Sequence, residues 1–160
     1  IEDALKNGGV AAATDVCRNT RGPIASIFTQ AFLRLADGQS LEEVEKSVVS
    51  YGGVEASKME QNLSWISLFI AIAPSLGFLG TVIGMIQAFD AIMVAGDMSP
   101  AVVAGGMKVA LITTVGGLIV AVILQLFYNY ILSQVESLTI DMEDASISLM
   151  DVLVKYQENK

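Results

Sequence analysis

The sequence contains no histidine, a single cysteine, and two long stretches without any charged residue. Each absence excludes something. Without histidine the chain lacks the commonest general base and the commonest metal ligand together. Cys17 alone can form neither an intrachain disulfide nor a CxxC metal or redox pair. Ser, Asp and Lys remain, but none stands in a nucleophile arrangement such as GxSxG or SxxK. An enzyme is therefore not expected, and neither is a metal or an organic cofactor. The chain has few cations, and its net charge of −8 argues against nucleic acid or anionic lipid as a partner, because both call for basic patches. Internal repeats and low-complexity segments are also missing.

The charge-free stretches are the strongest positive signal. Residues 61–89 form a run of 29 without Asp, Glu, Lys or Arg, and residues 109–135 form a second run of 27. About 20 mostly apolar residues suffice to cross the hydrocarbon core as a helix. Buried helices of soluble domains are usually shorter and amphipathic, so both runs are predicted to span a membrane. The overall composition agrees, with 53% apolar and only 16% charged residues. The expected fold is all-α: an integral membrane helical hairpin, long helices extending from it, and short N-terminal helices. The boundaries are a cytoplasmic helical segment at 1–62, a transmembrane helix at 63–94, a periplasmic turn at 95–101, a second transmembrane helix at 102–134, and a cytoplasmic helical tail at 135–160.

Segment 1–62 is polar and punctuated by Gly8-Gly9, Arg21-Gly22-Pro23 and Asp37-Gly38. Short helices fit near 2–7 and 10–19. A better one runs from Pro23 to Ala36, where Ile24, Ile27, Phe28, Ala31, Phe32 and Leu35 form one apolar stripe. Pro23 suits a first helical position and Gly38 a terminator. Ser40-Leu41-Glu42-Glu43 reads as a capping box opening the next helix. Gly52-Gly53 is a place for that helix to bend or break; otherwise no stop precedes Trp65, and one long rod into the membrane is expected. After Gly117 the last helix meets no Gly or Pro and is expected to continue through Glu136–Asp151. There Val135, Leu138, Met142, Ile147, Leu149 and Val152 would pack on the N-terminal helices. Basic residues fall on Lys6, Arg18, Arg21, Arg34, Lys46 and Lys58 and on Lys155 and Lys160, with none in the hairpin turn. The positive-inside rule then places both ends in the cytoplasm. The chain opens at Ile1 directly in helix-like sequence with no visible signal peptide, which is the pattern of a chain whose true N-terminus lies further upstream.

Within the first run, Gly77, Gly80 and Gly84 fall on one face, with Ala73 and Ala88 beside them. Such a seam allows close backbone approach, a large part of what drives helix association in lipid. Thr81 sits beside it, and Thr113, Thr114, Gly116 and Gly117 make a similar small face on the second helix. A threonine in lipid usually bonds its own helix's i−4 carbonyl, whereas three on two facing helices can line a wet pore. Spacing leaves both readings open. Ion paths normally rely on an intramembrane carboxylate, and neither run holds one at mid-depth. Asp90 falls near the outer surface, and Gln125 and Asn129, toward the inner end, cannot titrate.

Two longer motifs carry a resemblance. Residues 73–85, APSLGFLGTVIGM, resemble the APxLGLLGTVxGM signature of the MotA/TolQ/ExbB proton-channel family. Residues 106–121, GMKVALITTVGGLIVA, followed by Tyr128-Asn129, resemble its GIxxALxTTxxGLxVAIPA…YN signature. The match is close over residues 63–130, and within the family the ExbB branch is most similar. The resemblance implies an all-helical homo-oligomer, pentameric in this branch, in a bacterial inner membrane. Its central pore would hold the single-span helices of an ExbD-like subunit, whose aspartate carries the proton. The proton motive force would then energise TonB-dependent outer-membrane transport through a TonB-like protein. Thr81 and Thr114 match the pore-facing threonines expected near that aspartate. A TolQ-like or sodium-coupled subunit, or a passive membrane scaffold, are the alternatives. Two departures stand out: Val109 occupies the place of a glutamate common in relatives, and Ile123 that of a proline, which implies a straighter inner half of the second helix. The family also has one further membrane helix ahead of the cytoplasmic segment.

Overall fold

The computed structural model describes residues 1–158, and among them every regular element is helical. Five helices follow one another: α1 Glu2–Asn19, α2 Pro23–Ala36, α3 Leu41–Glu60, α4 Leu63–Ala95 and α5 Pro100–Glu158. They divide into two compact units, one made of residues 1–61 and 133–160, the other of residues 62–132.

In the first unit the punctuation residues act as local chemistry requires. Gly9 takes φ +67° and ψ −166°, non-helical dihedrals open to glycine without steric cost, so α1 consists of two helical runs meeting at a kink there, as the short helices expected near 2–7 and 10–19 require. Pro23 opens α2 with Gly22 as its N-cap. At the other end Gly38 has φ +80°; its N–H donates to the Leu35 carbonyl at 3.1 Å, and the Gln39 N–H donates to the Arg34 carbonyl at 3.2 Å. These two bonds are a Schellman stop. The capping box at α3 closes both ways: the Glu43 N–H donates to Ser40 Oγ at 3.3 Å, and the Ser40 N–H donates to Glu43 Oε2 at 3.0 Å.

Two expectations for α3 change. The helix runs unbroken through Gly52-Gly53; an interior glycine costs only about 1 kcal/mol relative to alanine, and flanking turns absorb it. The stop comes later, where α3 ends at Glu60 and α4 begins at Leu63. Gln61 keeps helical dihedrals, but its N–H donates at 3.4 Å to Lys58 three residues back, and Asn62 has φ −107° and ψ −1°. A tightened last turn followed by a poor helix former ends the ladder there.

The core of this unit gathers Leu5, Ala13 and Cys17 of α1, Ile27, Ala31 and Phe32 of α2, Val44 and Val48 of α3, and Met142, Leu149 and Leu153 of α5. Ile24, Phe28 and Leu35 complete the α2 stripe as partly buried neighbours. On α5 the buried stripe is Val135, Met142 and Leu149, seven residues apart, with Leu153 fully buried. Leu138 and Ile147, expected on that face, are 44% and 63% exposed. At about 100° per residue they point about 60° and 120° away from Val135.

In the second unit, α4 and the first part of α5 are long and apolar enough to cross a membrane. Pro74 lies within α4 and has no N–H to give to the Ile70 carbonyl. At its end the N–H of Gly96 donates to the Ile92 carbonyl at 2.9 Å. Residues 96–99 then turn the chain, and Pro100 starts α5 in the first-helical position that suits proline.

Candidate functional site

The hairpin of α4 and α5 is built by backbones in near contact. A Cβ added at Gly84 would lie 2.6 Å from the Ala110 nitrogen and the Gly106 carbonyl oxygen, and one at Gly117 would lie 2.5 Å from the Ala73 carbonyl oxygen. At Gly77 it would approach Thr113 O to 3.1 Å and Thr114 Cα to 3.2 Å, and at Gly80 it would collide with the Thr113 side chain. Real Cβ atoms do not tolerate the shortest of these separations, so at Gly84 and Gly117, where the obstacle is backbone, only glycine fits. Gly116 differs, because a Cβ there would meet nothing within 4 Å. Its face points away from the hairpin seam. Gly106, which the sequence reading did not single out for packing, takes part instead: a Cβ on it would lie 2.5 Å from the Ala88 nitrogen. Ala88 and Ala110 are both 3% exposed. The signal was present in the spacing of small residues at 106, 110, 113, 117 and 121, one every three or four positions.

This close approach positions the threonines. Thr81 Oγ1 and Thr114 Oγ1 lie 2.6 Å apart, a hydrogen bond between the two helices. Each hydroxyl also reaches its own helix's i−4 carbonyl at 3.2 Å, Gly77 O for Thr81 and Ala110 O for Thr114, and the partner helix's carbonyl at 3.4 Å. Two protons therefore serve three oxygen partners. Thr81 can donate to Thr114 while Thr114 donates to Ala110, or Thr114 can donate to Thr81 while Thr81 donates to Gly77. The chain of two bonds can run in either direction. Thr113 does not join it; its hydroxyl donates back to Val109 O at 3.0 Å and Ala110 O at 2.9 Å. Thr81, Thr113 and Thr114 are all partly buried. Farther along α5, Gln125 donates to Asn129 at 3.1 Å. Among the described residues no group of His, Cys, Asp or Glu side chains is arranged to hold a metal ion.

Residues 19–144 match the family model described as the MotA/TolQ/ExbB proton channel family. The chain belongs to this family. The match runs from the end of α1 through α2, α3, the hairpin and most of α5. Among curated family relatives, an ExbB homolog of Methanothermobacter thermautotrophicus is 35% identical over 136 residues, covering 85% of this chain and 47% of that protein. An ExbB-like protein of Synechocystis is 30% identical over 136 residues, covering 83% and 51%. The biopolymer transport protein ExbB of Helicobacter pylori is 28% identical over 123 residues, covering 71% and 85%. The chain thus spans about half the length of the first two relatives.

Proposed function

We propose that this chain is the channel subunit of an ExbB-type motor, in which the Thr81–Thr114 hydroxyl pair serves a carboxylate delivered by a second subunit. The observation that carries this reading is the 2.6 Å contact between the two hydroxyls at the hairpin crossing, in a unit whose charge-free runs hold no carboxylate of their own. A protonated aspartic acid docked against the pair donates its O–H, and the two hydroxyl bonds run inward to a backbone carbonyl. When that proton leaves, the carboxylate accepts: the bond between the hydroxyls reverses, the bond to the carbonyl is given up, and the outer hydroxyl donates to the carboxylate. Serving both states without moving the backbone is what a reversible proton site needs. Thr113 is outside this relay, since its proton is committed to its own helix.

The rest of the assembly follows the family pattern. Copies of the chain form a ring, a pentamer by resemblance, with Gly77, Gly80, Gly84 and Gly117 closing each hairpin and Gly116 free to meet another chain. The ring encloses single-span ExbD-like helices bearing the proton-carrying aspartate. Both ends of this chain lie in the cytoplasm of a bacterial cell and the 96–99 turn on the periplasmic side, supported by the basic residues of α1–α3. The proton flux then energises TonB-dependent transport, a reading supported by the ExbB names of the relatives.

Valine has nearly the shape of threonine and no hydroxyl, so Thr81→Val with Thr114→Val removes the relay and keeps the packing. The loss to the fold is about 1 kcal/mol per hydrogen bond. The expected result is normal assembly and normal capture of the partner, with energy-dependent uptake abolished. Wild-type uptake in the double variant would show that the hydroxyls only fasten the hairpin.

A further inference from the structure

Asp90 and Lys108 are the charges that border the two apolar runs at the turn end of the hairpin: Asp90 follows the run 61–89 and Lys108 precedes the run 109–135. Both are exposed, and among the described residues neither has an ion-pair or hydrogen-bond partner. At the edge of the hydrocarbon region, where water screens less than in bulk, an ammonium and a carboxylate within reach attract each other strongly enough to pair across a helix contact. The two cannot readily serve each other within one hairpin. The seam side of α4 is marked by Gly84 and Ala88, and Asp90 lies about 120° and 160° around the helix from them. The seam side of α5 is marked by Gly106 and Ala110, and Lys108 lies about 160° from each. They therefore occupy the two opposite outer faces of the hairpin.

We infer that Asp90 of one copy pairs with Lys108 of the next, fastening neighbouring hairpins into a ring at their turn ends. This rests on the membrane-spanning homo-oligomer set out above and names its contact surface. Depth permits the pairing. The seam contacts set Ala88 against Gly106 and Gly84 against Ala110, so Lys108 is level with residue 86 and Asp90 is four residues nearer the turn, about 6 Å along the axis. A lysine stem that bends toward the turn spans that offset, in the direction in which lysine normally seeks a polar surface. Size is also complementary. Around Asp90 the exposed face of α4 carries Ile86, Met93 and Val94; on the turn side of Lys108 the exposed face of α5 carries Ala101, Ala104 and Gly105, and on its other side Leu111 and Ile112. At the level of Asp90, nearer the turn, large side chains on one edge meet small ones on the other. Because the two edges differ, each copy offers one of each to its neighbours, and such a heterologous contact continues beyond a dimer and forms a ring when the rotation from copy to copy closes.

The test uses the full chain with its only cysteine replaced, Cys17→Ala, carrying Asp90→Cys and Lys108→Cys and treated in membranes with a bismaleimide long enough to bridge the offset, which a direct disulfide cannot span. The expected product is a ladder of cross-linked multimers. Mixing the two single-cysteine variants should give linked dimers and nothing larger. In a second arm, Asp90→Lys and Lys108→Asp each put like charges across the contact and should lose the oligomer seen by native mass spectrometry, while the double exchange should restore it. Only monomeric products from the cysteine pair, in a preparation whose native mass is that of an oligomer, would overturn the pairing and leave the assembly standing. A double exchange worse than either single change would also overturn it, and would assign the two charges to lipid headgroups instead. A monomeric wild-type chain would overturn the oligomer itself.

Discussion

The partly buried threonines show how one hydroxyl's neighbours decide its chemistry. Thr113 and Thr114 are adjacent in sequence, yet only Thr114 meets Thr81; Thr113, rotated by about 100°, fills the space over Gly80 and satisfies itself locally. Cys17 in the other unit is a contrasting case, a small apolar group in the core at 2% exposure. Burial disfavours its thiolate and pushes the thiol's pKa up from its ordinary value near 9.0. Because the folded-state pKa is the higher one, the stability this contributes is complete below the unfolded pKa. It is lost as pH rises above about 9 toward the folded value. Two outcomes follow: maleimide labelling of Cys17 at neutral pH should be slow until the chain is denatured, and the Cys17→Ala variant should lack the part of the alkaline destabilisation seen in wild type above pH 9. Rapid labelling of the native protein would show that α1 opens easily.

Among the helices, α4 and α5 approach so closely because their facing residues lack side chains to hold them apart. Gly84→Leu and Gly116→Leu separate this cause from mere glycine content. At Gly84 the new side chain enters space held by the backbone of Gly106 and Ala110, which cannot move aside as a side chain would. The cost should reach at least the roughly 3 kcal/mol at the upper end of ordinary overpacking. At Gly116 the same change meets open space within its own chain and should leave the hairpin intact. Thermal unfolding of the two variants in detergent, followed by circular dichroism, distinguishes them. Equal midpoints would mean that the hairpin opens at the Gly84–Ala110 contact. In α3 the opposite lesson holds, since Gly52 and Gly53 lie within an unbroken helix that the Ser40 capping box starts and tertiary packing of Val44 and Val48 holds.

Taken as a whole, the molecule builds one unit from two distant stretches of chain, 1–61 and 133–160, and the end of α5 is what joins them. Leu153 is fully buried against the core of that unit. Leu153→Ala should destabilise the unit by about 2–5 kcal/mol through lost burial and the cavity left behind. Limited proteolysis of the full chain should then cut within α1–α3 while the hairpin residues stay protected. Unchanged proteolysis would show that α1–α3 fold without the tail.

The two long apolar helices, the short turn between them and the caps at Ser40 and Gly38 were all legible in the amino-acid sequence. Those features depend on sums and neighbours along the chain: a run without charge is apolar whatever it packs against, and a capping box closes within four residues. The family motifs also named Thr81 and Thr114, as pore-facing threonines, without saying that the two touch. The tertiary structure alone decided the azimuths. It set Thr114 rather than Thr113 against Thr81, turned Gly116 out and Gly106 in, and aligned Val135, Met142, Leu149 and Leu153 while leaving Leu138 and Ile147 exposed. Each step along a helix turns a side chain by about 100°, and small residues occur on more than one face of both helices. Periodicity therefore narrows the packed face to a sector, and only the contact of one helix with another selects the residues within it.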